Sequence, residues 1–326
     1  TRTEMVASAT EFKKSGFSDE DSAQLAKISE MYRNTADEAI SSAESAGFIV
    51  SQMKAYNNET EGFAQHTIDA INNVSDNMAV SSSDISEGLT KTSSAMSALG
   101  NSFEESMAMV AGATEVLHGQ ATKVSRGLRT IGNNFANQAK KAGTLTYQVN
   151  GVAQSLSLLD EQTGDLKSTY SIFEELSKEW QNMSNAEKQS IAIQYAGKNQ
   201  FEVFMAEMNQ FTSVQKAYNL AVNDNGMATK ENEKYMESLT AKLTALKQQF
   251  QELALGDGGL SYLLKLLTDI GTVVLKLANN DFVKLLGKDT IIPRNANEKL
   301  FILAPIMGLV SIAVIPMLIP IGNAYF

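Results

Sequence analysis

The chain has 326 residues, 27 basic and 37 acidic, with a net charge of -10 and a pI near 4.9. No run of Lys or Arg exceeds the pair Lys140-Lys141, so neither a wholly basic surface nor sequence-specific binding of nucleic acid is expected. The absence of cysteine excludes disulfides, thiolate metal sites and cysteine nucleophiles.

All four prolines lie at 293, 305, 316 and 320, which leaves residues 1–292 open to long helices. Ala, Ser, Met, Glu, Lys and Gln fill that stretch, and no alternating apolar run bounded by turn pairs is read as a strand. The expected fold is all-α: multi-helix hairpins, a short coiled-coil segment and an apolar, membrane-compatible C-terminal segment. A start at Thr1 without a charged and apolar leader suggests a trimmed or processed chain.

In chain order, residues 1–143 read as a first helical part. Ser18 with Asp21 and Ser102 with Glu105 have the spacing of a capping box, in which the hydroxyl accepts an orphan N–H and the acid reaches back. Gly16 and Gly100 precede them, placed to close the previous helices. Apolar residues follow at helical spacing: Leu25, Ile28, Met31 and Tyr32, then Val110, Ala113, Val116 and Leu117. Two helix-turn-helix units thus recur about 84 residues apart, either as a duplication or as two ordinary hairpins.

Residues 144–255 read as a second helical part, with a third box at Ser184 and Glu187. Phe173, Leu176, Trp180 and Met183 form an apolar stripe, so the single tryptophan reads as core rather than as a stacking platform. Met236, Leu239, Leu243, Leu246, Phe250 and Leu253 repeat at a/d spacing over 236–253. That seam needs a partner, either another helix of this chain or a second copy.

The charge shifts near Gly256-Asp257-Gly258-Gly259, from a soluble acidic part to an apolar one. Residues 256–299 hold an amphipathic stretch and a linker, in which Lys265, Asp269 and Lys276 interrupt the leucines. Leu300–Ile321 then carries no charge through 22 residues, including Ile306, Leu309, Ile312 and Ile315. As one helix it would extend roughly 33 Å, enough to cross a bilayer core of about 30 Å. Arg294 and Lys299 flank it on one side, and its three prolines argue against an unbroken helix.

Catalysis finds little support. His66 and His118 lack metal-ligand neighbours at i, i+4 spacing and read as residues of a helix face or helix end. Adjacent acids such as Glu104-Glu105, Asp160-Glu161 and Glu174-Glu175 diverge by about 100° on a helix, so they read as solvated faces. The glycine cluster lacks the Lys-Ser/Thr of a phosphate loop. No enzyme, metal or cofactor is expected. Gly47, Gly62, Gly88, Gly112, Gly127, Gly143 and Gly197 read either as deliberate weakening of helices, by up to about 1 kcal/mol each, or as helix ends.

Several segments in series carry a resemblance: Ile68–Asn72, Ala79–Leu89, Gly100–Ser106 and Lys123–Thr130, then Ile172–Asn219 and Tyr235–Leu253. Together, over roughly residues 5–255, they resemble the core of bacteriophage tail tape-measure proteins. The resemblance implies a scaffold that sets tail-tube length and helps form a channel through the host membrane at genome ejection. It implies as partners the tail-tube protein, tail assembly chaperones, the distal tail protein, the host membrane and further copies of the chain. The implied locations are the host cytoplasm during assembly, the tail-tube lumen of the virion and the host cell membrane on ejection. Nothing here resembles the peptidoglycan-cleaving domain that some members carry. A secreted pore-forming helical toxin is the alternative, since it would share soluble helices and an apolar segment. A chemoreceptor-like rod is disfavoured by the recurrent glycines.

Overall fold

Ser and Thr side-chain caps start seven of the helices described. The computed structural model describes residues 2–224, 226–238 and 242–243. Residues 1–241 form one compact unit. This unit runs α1 (Arg2–Lys14), α2 (Asp19–Thr35), α3 (Ser42–Ala55), α4 (Glu61–Asn77), α5 (Ser82–Ala98), α6 (Phe103–Leu117) and α7 (Ala121–Ala142). After a hairpin of β1 (Thr144–Val149) and β2 (Val152–Ser157) come α8 (Thr169–Trp180), α9 (Asn185–Ala196), α10 (Phe201–Asn209) and α11 (Phe211–Val222), with helical turns again over 227–238.

Ser18, Ser102 and Ser184 stand at the N-caps of α2, α6 and α9, each hydroxyl accepting the N–H three residues on. At Ser102 and Ser184 the acid closes the box. At Ser18 the Asp21 carboxylate instead accepts the Ser18 hydroxyl at 2.6 Å. Ser41 with Glu44 makes another complete box, at α3. Gly16 and Gly100, at φ of 98° and 80°, end α1 and α5, where the following N–H groups of Phe17 and Asn101 return to the carbonyls of Phe12 and Met96.

The core centres on α6. Residues 106–114 of this helix are buried on every side, so its buried surface extends beyond the face marked by Val110 and Ala113. Small side chains at Ser106, Ala108, Ala111, Gly112 and Ala113 let neighbouring helices approach. A β-carbon on Gly112 would lie 2.5 Å from Val214 Cγ2 of α11, and one on Gly127 of α7 would lie 2.7 Å from Val203 of α10. Gly88 of α5 meets Val110 of α6 in the same way, and Gly132 of α7 meets Leu99. These glycines neither end their helices nor simply weaken them: they make room for a facing valine or leucine. Gly143 and Gly197 are helix C-caps at positive φ, and Gly47 and Gly62 face open space.

The expectation that residues 1–292 hold no strand is corrected by the hairpin. Val149 pairs with Val152 across Asn150-Gly151, whose φ values of 49° and 76° match the two-residue turn suited to twisted strands. Leu145 is buried, with Tyr147 and Val149 half-buried on the same face, while Thr146 and Gln148 are exposed. The Tyr195 hydroxyl of α9 accepts the Thr146 N–H at 3.0 Å and donates to the Thr146 carbonyl at 3.2 Å. At the hairpin tip the Gly151 N–H donates to Glu187, and this bond, with those from Ser184, holds the Glu187 carboxyl down to about 2.

Trp180 lies in the core with Phe173, Leu176 and Met183, its indole N–H donating to Asn209 at 2.9 Å. Glu207 of α10 is fully buried and neither carboxyl oxygen has a partner, so burial pushes its pKa well above the usual carboxylate range.

Candidate functional site: a polar latch on α4

Two stripes share α4. Ala64, Ile68, Ile71 and Val74 enter the core, while Gln65, His66, Asp69, Asn72, Asn73 and Asn77 form a polar stripe at helical spacing. The end of the compact unit folds back onto that stripe. α11 runs antiparallel to α4: Lys216 Nζ donates to the Asn77 carbonyl at 2.6 Å, and Asn73 Nδ2 donates to the carbonyls of Leu220 and Asn223 at 2.7 and 3.1 Å. The chain reverses around Gly226, at φ 67°, and the helical turns over 227–238 run back along the same stripe.

Asp69 receives them. Its Oδ1 accepts the Ala228 N–H at 2.8 Å and the Thr229 N–H at 3.4 Å, placing a carboxylate at the start of the helical turns. Burial lifts the Asp69 pKa, against the hydrogen bonds from Gln65 and Ala228. Gln65 also reaches Thr229 Oγ1 at 3.2 Å, Asn72 reaches Glu231 at 3.3 Å, and Asn34 of α2 bonds Asn232 at 2.8 Å.

His66 is the centre of the latch. Its Nδ1 meets Asp224 Oδ2 at 2.6 Å and its Nε2 meets Glu104 Oε1 at 2.7 Å, while its ring lies edge-on to Phe103. A neutral imidazole has one N–H, and only the charged form can donate to both carboxylates. The bond to Glu104 is the largest influence and, with Asp224, raises the His66 pKa despite partial burial. Burial pushes the Glu104 carboxyl up, but the bonds from His66 and Ser102 and its own backbone bond outweigh it and bring it to about 2.

The arrangement joins three separate elements and can change with pH. The two carboxylates take opposite nitrogens and do not converge on one point. Among the described residues no group of three or more His, Asp or Glu is arranged to hold a metal ion. His118 is the C-cap of α6, at φ 33°. Of the a/d seam, Met236 and Leu243 are exposed, while Leu239, Leu246, Phe250 and Leu253 lie outside the described residues. Leu300, Ile306, Leu309, Ile312, Ile315 and Ile321 also lie outside them. Among the described residues no helix is long and apolar enough to cross a membrane.

The latch had no counterpart in the sequence reading. Its partners are 38 and 158 residues from His66, and the available signal was the polar spacing 65, 66, 69, 72, 73 and 77 on a helix with an apolar face.

No solved structure matches the chain. A family model described as NADH dehydrogenase matches residues 269–326, under a fifth of the chain and outside the described residues. The model for phage-related minor tail proteins matches residues 1–197, from α1 through the glycine that caps α9, which is well over half of the sequence. The chain belongs to the family of phage-related minor tail proteins.

Proposed function

We propose that this tail protein is a tape measure, a helical scaffold around which the tail tube polymerises and whose length sets the length of the tube. The observation that carries the reading is family membership over residues 1–197, joined to tape-measure-like segments in order as far as Leu253. Helix geometry supplies the ruler, at about 1.5 Å per residue, so the role needs no active site and we read the chain as no enzyme. Its partners are the tail-tube protein, assembly chaperones, the distal tail protein and further copies of itself. It works in the host cytoplasm during assembly and in the tube lumen of the virion.

The latch suits a chain that must leave its packed state. The turns after α11 are fastened to α4 by polar groups, many half open to water, each contributing about 1 kcal/mol. Removing the protein from the phage should leave heads without tails or tails of uncontrolled length, and the wild-type protein should be recovered from purified tails. Tails of normal, uniform length assembled without it would refute the proposal.

At ejection, Leu300–Ile321 would enter the host membrane and help open a channel. Purified protein should release dye from liposomes, and Ile312→Arg should weaken release, because arginine at mid-bilayer costs at least about 2.5 kcal/mol. Sealed liposomes would remove the membrane step and leave the ruler standing.

A further inference from the structure

We propose that the outward face of α7 docks the phosphate backbone of duplex nucleic acid, without regard to sequence. The chain is acidic overall, yet no Asp or Glu occurs from 116 to 159, and all five Lys and Arg of that stretch are on α7. The helix spreads these cations over 123–141, so no long basic run marks the face.

The buried side of α7 carries Val124, Leu128, Ile131 and Phe135. Arg126, Arg129, Asn133, Asn137, Lys140 and Lys141 are exposed on the other side. Lys123 pairs with Glu202, whereas Arg126, Arg129, Lys140 and Lys141 meet no carboxylate among the described residues. Glu87, bonded to Thr122, and Glu202 approach only the first turn of the helix. Lys123 to Lys141 spans about 27 Å of helix axis, so the cations form a line.

Four features favour a phosphate backbone. Every exposed polar side chain along the line can donate a hydrogen bond and none is acidic, which fits phosphate oxygens. None of the exposed large hydrophobic residues lies on α7, so the face lacks the apolar and aromatic anchors that concentrate binding energy between proteins. The apolar side of the helix is committed to the core, so it cannot insert into a bilayer as an amphipathic membrane helix does. A line of cations also matches a linear polyanion better than a flat sheet of headgroups.

The test measures binding of the full chain to a labelled mixed-sequence DNA duplex by fluorescence anisotropy. Four neutralised phosphates give a slope of log affinity against log salt near -3.6, a loss of about 10²-fold between 50 and 200 mM salt. Arg126→Gln/Arg129→Gln should roughly halve the slope, and adding Lys140→Gln/Lys141→Gln should abolish binding with helicity unchanged. Lys14→Gln/Lys27→Gln, on exposed positions of α1 and α2, should leave binding as it was. The proposal is overturned if the duplex is not bound at low salt, or if the quadruple variant binds like the wild type. It is equally overturned if polyglutamate or phosphatidylglycerol vesicles compete as well as duplex at equal charge, which would assign the face to an acidic protein or to lipid. Tail length plays no part in this assay, so its outcome is separate from the tape-measure reading.

Discussion

Gly88 of α5 lies so close to Val110 of α6 that a β-carbon on the glycine would overlap Val110 Cγ1, although Val110 Cβ would stand 3.6 Å away. Alanine favours a helix by about 1 kcal/mol over glycine, but overpacking a core costs about 1–3 kcal/mol. Gly88→Ala is therefore expected to lower stability. Val110→Ala should partly rescue it, giving a double mutant less destabilised than the sum of the two. Gly47→Ala, in open space on α3, should be neutral or stabilising by up to about 1 kcal/mol. Urea titrations of the four variants check this, and strict additivity of the Gly88 and Val110 changes would contradict direct contact.

His66 makes the latch depend on pH. Its folded pKa is raised above its usual value, so its contribution is fully present below about 6.5 and is lost as pH rises through the folded pKa. The Glu104 carboxyl is depressed to about 2, so its contribution is present above its usual value and is lost as pH falls toward about 2. Amide exchange at residues 220–231 should speed up on the alkaline side more than exchange in α6. His66→Gln should remove that difference and cost about 2 kcal/mol. Exchange at 220–231 that ignores both pH and the substitution would refute the latch.

Glu207, like His66, favours the folded state less as pH rises, but through burial alone. Its pKa is raised in the folded state by burial, so folding binds a proton that the unfolded chain releases above about 4.3. Wild-type stability should fall relative to Glu207→Gln as pH rises from there, by up to about 1.4 kcal/mol per pH unit until the folded carboxyl ionises. Thermal melts of the two proteins from pH 4 to 8 test this. Parallel curves would mean that Glu207 is already charged and solvated in the fold.

What could be read in the sequence was local. A capping box needs two residues three apart, so Ser102 and Ser184 were legible, and Ser41 follows the same rule. Trp180 was legible as core because its neighbours repeat at helical spacing. The hairpin was equally local, since Asn150-Gly151 between Thr144–Val149 and Val152–Ser157 is a strong turn signal. It was hidden by the helical bias of the surrounding chain. The Gly88–Val110, Gly112–Val214 and Gly127–Val203 contacts depend on which helices meet, which no spacing encodes. The same holds for the Glu104–His66–Asp224 latch, whose parts lie on two helices and the turn after a third.

If the tail protein measures length, in-frame deletions and duplications in its gene must change the tail. The changes belong outside residues 5–255, because a packed unit of about 240 residues has a radius of gyration near 18 Å, against roughly 360 Å for the same chain as one helix. Electron micrographs of the resulting phages are expected to show tails shortened or lengthened in proportion, at about 1.5 Å per residue. Tails of unchanged length from stable, expressed variants would contradict the ruler.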